Sequence, residues 1–226
     1  MPGHRARLLD WNLTGRLVSF ILAATSIACL LSEMYGLCPM RPFTLWIFGP
    51  SCLLLIVLGC VDALAGSRRL ARMLVLGAAA GFVAAIAYDV FRLPFVYSRS
   101  WGLAGFLPPL NLFKVFPRFG AMILAQPLEQ EQYTLATQLI GWAYHFSNGA
   151  TFGIMYLAMI GRTTRSIGWA ILFAAGLEAA MLLTPYPQVF GIALTTAFLL
   201  ATLTAHMVFG AALGFSLRAA GRRIHN

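Results

Sequence analysis

GWAYHFSNGATFG, residues 141–153, lies inside an apolar run, 134–161, that is long enough to cross a bilayer, yet it carries His145, Ser147 and Asn148. Ionisable or strongly polar groups among acyl chains cost a few kcal/mol each. These side chains must therefore face protein, and a lone span has no interior to offer them. The stretch requires several spans packed into a bundle with a polar inside.

Composition agrees. Of 226 residues, 60% are hydrophobic and 10% charged, and mean hydropathy is +0.79. A soluble domain of that make-up could not keep its surface wet. A helix of about 20 apolar residues crosses the roughly 30 Å hydrocarbon core, and six such runs occur: 17–35, 43–65, 73–95, 134–161, 166–186 and 188–217. The predicted fold class is all-α, a polytopic integral membrane helical bundle forming one transmembrane domain over 1–226. The segment 96–133 is interrupted by Pro108, Pro109, Pro117 and Pro127. It is predicted to be a long outer connection holding an interfacial or re-entrant helix.

The net charge of +9 reads as topology, because the basic residues fall at the ends of the apolar runs. Arg5, Arg7, Arg16, Arg68, Arg69, Arg72, Arg162, Arg165, Arg218, Arg222 and Arg223 share one side under six spans. Arg41, Arg99, Lys114 and Arg118 lie on the other. The positive-inside rule then places both termini in the cytoplasm, in a bacterial-type plasma membrane. Basic and aromatic residues are not interleaved as in single-strand binders, which argues against nucleic acid as a partner. Membrane lipid is the expected partner, and a homo-oligomer or larger membrane complex is compatible with such a bundle.

The first run follows a basic segment but lacks a clean small-x-small cleavage site, and Ser26 stands where a lipoprotein signal wants Leu before Cys29. It reads as an uncleaved first span. Cys29, Cys52 and Cys60 lie within spans and Cys38 outside, with no CxxC spacing, so neither disulfides nor thiolate metal sites are expected.

Two spans echo one another. His145, Gly149 and Gly153 in the fourth, and His206, Gly210 and Gly214 in the sixth, both read His-x3-Gly-x3-Gly. Small-x3-small spacing by itself lets helices approach closely in lipid. Depth adds more: counted at about 1.5 Å per residue from the nearest inner arginine, His145, His206, Glu178 and Asp89 share one layer about 18 to 25 Å above that ring. Each belongs to a different one of the last four spans, and each sits on a small or mildly polar face: Gly77, Gly81, Ala85 and Asp89; Ala170, Ala174 and Glu178; Thr195, Thr202, His206 and Gly210.

Three uses of this layer are weighed. Two imidazoles and two carboxylates suit zinc or another divalent metal, with His145, His206 and Glu178 as ligands and Asp89 as base or supporting partner. A zinc-bound water would attack an ester or amide, and Asn148, one turn from His145, would orient a substrate oxygen or hold the imidazole tautomer. This favoured reading makes the chain a metal-dependent hydrolase or related lipid-modifying enzyme acting on an amphipathic substrate from the outer leaflet. A bis-histidine haem b is the alternative cofactor, with a glycine one turn from each His leaving room for the macrocycle. A third reading is non-catalytic, a membrane subunit or transporter with a proton relay or a structural polar network.

Other polar residues carry less. Arg92 could simply neutralise Asp89 as an i,i+3 pair. Glu33 and Asp62, near span ends, read as solvated interfacial groups, and His4 and His225 as solvated tail residues. Tyr88, Tyr144 and Tyr156 fit interfacial aromatic positions. The segment 111–125, NLFKVFPRFGAMILA, reads as interfacial, with Lys114 and Arg118 on headgroups, either roofing a cavity or sealing the bundle. No nucleophile elbow, P-loop, dinucleotide fingerprint or HExxH is present. The placement of acidic and histidine residues on late spans loosely resembles intramembrane metal-dependent lipid hydrolases such as the alkaline ceramidases. Their ligand patterns do not match here residue by residue, so no role is carried over.

Overall fold

A computed structural model describes residues 13–161 and 166–225, and side chains as far as 221. The expectations for His4, Arg5, Arg7, Arg162 and Arg165, and for the side chains of Arg222, Arg223 and His225, lie outside the described residues.

Every regular element among the described residues is helical: α1 Leu13–Met34, α2 Met40–Phe43, a π-helical turn Thr44–Phe48, α3 Gly49–Ala65, α4 Arg69–Val96, α5 Val115–Leu124, α6 Leu135–Ile160, α7 Ile167–Leu182, α8 Tyr186–Val189 and α9 Thr196–His225. Local chemistry sets the boundaries. Thr134 Oγ1 accepts from the Thr137 N–H at 3.2 Å and starts α6, and Ser166 Oγ does the same for α7 through Gly168. Gly161, at φ 70°, ends α6 in the left-handed region that glycine enters freely.

Four helices among the described residues are long and apolar enough to cross a membrane: Leu13–Met34, Met40–Ala65, Arg69–Val96 and Thr196–Gly221. The second runs unbroken through the π turn. α6 has the length, at 26 residues, but its polar stretch 141–153 lowers its hydropathy, and α7 has only 16 residues. Outward faces carry Leu17, Ile21, Leu54, Val83, Ile86, Val90, Leu172 and Leu200, all exposed, as a lipid-facing surface requires.

α6 lies at the centre, packed on α4, α5 and α1, while α9 packs on α7 and α4. The α4–α6 contact is a glycine interlock. A Cβ on Gly81 would stand 2.1 Å from the Gly149 carbonyl oxygen, and one on Gly153 would stand 2.0 Å from that of Gly77. On the other flank of α6, the hydroxyls of Ser26 and Thr151 pair at 2.7 Å, and the Tyr144 hydroxyl donates to the Ser26 carbonyl at 2.7 Å. Arg16 closes the end of α6: its Nε and Nη2 donate to the carbonyls of Ala158 and Met159 at 2.7 and 2.8 Å, groups a helix C-terminus leaves unpaired. Replacing Arg16 by Ala should cost about 1 to 2 kcal/mol and lower the melting temperature in detergent by a few degrees. An unchanged melt would show that water serves those carbonyls equally well.

Several expectations are corrected. The run 188–217 is not helical from its start: Gly191, at φ 59°, turns the chain after α8, and α9 begins at Thr196 with Thr195 Oγ1 accepting from the Phe198 N–H at 3.2 Å. Thr195 is therefore a helix cap, outside the face that carries Thr202 and His206. Asp62 is not solvated. It is fully buried and its Oδ2 accepts from the Ala71 N–H at 3.0 Å, in the first turn of α4, where a carboxylate meets free N–H groups and the positive end of the dipole. Glu33 likewise binds the Met40 N–H. Tyr144 and Tyr156 are buried in the bundle.

The segment 96–133 does contain a helix, α5, with Phe116, Pro117, Arg118, Phe119, Gly120 and Ala121 buried. It is pressed onto α6 so closely that a Cβ on Gly120 or on Gly141 would stand 1.9 Å from the facing carbonyl oxygen, of Thr137 and Phe116 respectively. Arg118 turns inward, only 3% exposed, so it does not lie on headgroups outside the bundle.

Candidate functional site

The helix contacts deliver the four ionisable residues as two pairs. His145 Nε2 lies 2.8 Å from Asp89 Oδ2, across the α4–α6 interface. His206 Nδ1 lies 3.3 Å from Glu178 Oε2, across the α7–α9 interface, and 3.0 Å from the Thr202 carbonyl of its own helix. Asp89 and Glu178 are both buried.

The two pairs are built alike. Gly81 packs against Gly149; eight residues on, Asp89 meets His145, which is four residues before Gly149. Gly210 packs against Ala170, with a Cβ there falling 2.5 Å from the Ala170 carbonyl oxygen; eight residues past Ala170, Glu178 meets His206, four before Gly210. The register is the same. The His-x3-Gly-x3-Gly echo is thus half of a repeat whose other half, the carboxylate helix, shares spacing but little sequence.

Each imidazole is anchored through one nitrogen on acceptors only. The Nδ1 of His206 faces a carbonyl and a carboxylate, so it carries the proton, and a neutral His206 has its lone pair on Nε2. By the same argument His145 donates from Nε2 and keeps its lone pair on Nδ1. Phe116 stacks on the His145 ring, with centroids 4.1 Å apart. Tyr88 lies against both imidazoles, 6.0 Å from His145 and 4.8 Å from His206.

Both histidines open on one chamber of about 420 Å³. Its walls are mostly apolar, among them Leu30, Phe119, Phe152, Met181 and Phe209, and its polar lining includes Asn148, Glu178, Tyr88 and Arg92. Asn148 is buried, and its Oδ1 has no hydrogen-bond partner among the described residues, a cost of about 1 to 3 kcal/mol if left so. Arg92 does what its spacing suggested, pairing with Asp89 Oδ1 at 3.4 Å, but this does not release Asp89 from His145, because each carboxylate oxygen serves one partner. Arg92 also donates to the Leu112 carbonyl and lies over the Tyr88 ring at 4.6 Å. Asp89 and Glu178 thus share this buried layer with one guanidinium, that of Arg92.

The expected metal set does not gather. Among the described residues no group of three or more His, Cys, Asp or Glu side chains is placed to hold a metal ion. For haem b, the imidazoles would have to face one another across iron, whereas each is turned onto its own carboxylate and Tyr88 lies against both.

Sequence reasoning set Tyr88 and Arg92 aside, and it put Arg118 on the wrong side of α5. Arg118 Nη1 donates to the Phe190 carbonyl at 2.6 Å and Nη2 pairs with Glu129; Lys114 Nζ lies 3.6 Å from the other Glu129 oxygen. Hydrogen bonding from Arg118 holds the Glu129 carboxyl below the usual carboxylate range. A lowered folded value means that this contribution is present above the ordinary carboxylate pKa and disappears as pH falls through the folded one. Thermal melts from pH 7 to pH 3 should therefore fall more steeply for the native chain than for Glu129→Gln. Parallel curves would show that the pair does not support α5.

The chain matches no protein-family model, no curated protein and no solved structure. The site is consequently read from its own geometry.

Proposed function

We propose that the chain is a six-span integral membrane enzyme that admits an amphipathic, membrane-dissolved molecule to the chamber and hydrolyses an ester or amide near its polar end. The observation that carries the reading is the presence of two carboxylate-anchored imidazoles on the wall of one otherwise apolar chamber. α6 and α7 complete the six spans: the polar residues of α6 turn inward, and α7 continues into α8 and the turn at Gly191. The inner arginines then place both termini in the cytoplasm and the segment with α5 on the outer side, re-entering against α6.

The chemistry needs one base and one acid. One imidazole, steadied by its carboxylate, takes a proton from water; the hydroxide adds to the carbonyl; the other imidazole, already protonated, gives its proton to the leaving oxygen or nitrogen. Asp89 and Glu178 orient the rings and stabilise the imidazolium, as the carboxylate of a catalytic triad does. Asn148, on the chamber wall, would donate from its Nδ2–H to the substrate carbonyl.

The test is lipid turnover. Protein in nanodiscs is incubated with a total lipid extract, and the lipids are followed by mass spectrometry. One class should be converted to its hydrolysis products by the native chain and not by Asp89→Asn. Equal lipid profiles from both would overturn the enzymatic reading in favour of a structural polar network or relay. Metal analysis and a visible spectrum of the same sample address the other cofactors: stoichiometric zinc lost in His145→Ala would replace the acid–base scheme by a metal-dependent one, and a stoichiometric Soret band would replace hydrolysis by haem chemistry.

A further inference from the structure

The chamber has a second polar region that the hydrolytic scheme does not use. Three cations, Arg92, Lys114 and Arg118, line it, against Glu178 as its lining carboxylate among the described residues. Asp89 and Glu129 pair with these cations but are not part of the wall. Arg92 and Arg118 are each 3% exposed, so both guanidinium groups are held inside the protein, each beside one carboxylate, Asp89 and Glu129 respectively. Each also keeps an Nε–H with no partner among the described residues. Lys114 is different. Its side chain is 46% exposed, with the ammonium 3.6 Å from Glu129, so it lies between the chamber and the outside.

We propose that this region binds the phosphate monoester of a single-chain amphiphile, with Arg92, Lys114 and Arg118 around the phosphate and the chain along the apolar wall. The inference rests on the hydrolytic reading for what happens next and names its substrate class: a phosphorylated single-chain lipid whose ester or amide lies beside His145. Hydrogen-bonding capacity selects phosphate over carboxylate. Arg92 and Arg118 each bring an Nε–H with no partner among the described residues and Lys114 an ammonium, and a phosphate monoester offers three strong acceptor oxygens to them. Two guanidinium forks and one ammonium are also the donor types that suit tetrahedral phosphate oxygens. Size selects one chain. About 420 Å³ falls at the small end of the roughly 300 to 1,000 Å³ range of ligand pockets. Position ties the region to the dyads, because Arg92 reaches both Asp89 and the Leu112 carbonyl just ahead of α5.

The experiment measures binding of radiolabelled monododecyl phosphate to the whole chain in phosphatidylcholine nanodiscs, referenced to empty discs. Competition by dodecanol, dodecanoate and inorganic phosphate is measured beside it. Saturable binding is expected, with dodecanol and inorganic phosphate unable to compete and dodecanoate on the order of tenfold weaker. Lys114→Gln, at a half-exposed position that need not disturb folding, should weaken binding by about tenfold, and Arg118→Gln by at least as much. Competition by dodecanol or dodecanoate at equal strength, or affinity unmoved in both variants, would overturn the assignment. The two proposals separate in Asp89→Asn, which should still bind dodecyl phosphate while losing lipid turnover. Turnover without phosphate binding refutes the headgroup site alone, and phosphate binding by a native chain that turns over no lipid refutes the hydrolytic reading alone.

Discussion

His145→Ala should lower lipid turnover by about 10²- to 10⁴-fold, the range lost with a positioned acid or base, while leaving the fold nearly intact. The second half of that statement follows from Asp89, which keeps Arg92 at 3.4 Å when the imidazole is gone. His206→Ala should be equally inactive but much less stable. Glu178 is buried and His206 is its partner within ion-pairing distance among the described residues, so truncation leaves a buried carboxylate without that hydrogen-bond donor. Leaving a buried acceptor unsatisfied costs about 1 to 3 kcal/mol, and more for a charged one. Adding Glu178→Gln to His206→Ala should recover most of that stability without recovering turnover. Melting curves for the three variants decide the matter: equal stability of the two single variants would show that Glu178 is neutral or reaches water.

Gly81→Val should be the most disruptive substitution in the membrane region. Even the first atom of the new side chain would stand 2.1 Å from the Gly149 carbonyl oxygen and 2.9 Å from the Gly153 backbone nitrogen. Backbone cannot rotate away as a side chain can, so α4 and α6 must separate. Overpacking costs about 1 to 3 kcal/mol where side chains can adjust, and here the cost should be at or above the upper end. The same separation would pull Asp89 from His145, so activity should fall with stability. Gly176→Ala is the matched contrast. A Cβ there meets nothing within 4 Å, and removing a mid-helix glycine should stabilise α7 by up to about 1 kcal/mol. If both variants melt alike, the glycine interlock is not what holds α4 to α6.

The zinc expectation shows where depth stops being informative. Counting residues from the inner arginines assigns a height, and His145, His206 and Glu178 do line a common chamber, with Asp89 behind His145. Height says nothing about rotation about the helix axis or about which helices are neighbours. The rotation came from the small faces, which were visible: Gly77, Gly81 and Ala85 point the same way as Asp89 because residues three and four apart share a face. The neighbours did not. α4 packs on α6 with all of 97–134 in between, and α7 packs on α9. Those two choices divide a four-member layer into two carboxylate–imidazole pairs.

Arg118 illustrates the same boundary from the other direction. Among Phe113, Phe116 and Phe119 it reads as a snorkelling residue at a headgroup surface. Only the seat of α5 on α6 through Gly120 and Gly141 decides which face of that helix is inside.

From sequence alone came the all-helical membrane class, the approximate extent of the apolar helices, the faces that must be buried and the residue types available for chemistry. These are properties of single helices, dictated by apolar length, by a 3.6-residue period and by the expense of polar groups in hydrocarbon. Tertiary structure alone decided the partners: His145 with Asp89, His206 with Glu178, Arg92 and Arg118 turned into the chamber. Partnership depends on close contact between backbones far apart in the chain, and that is settled by which small faces interlock once all the helices are present.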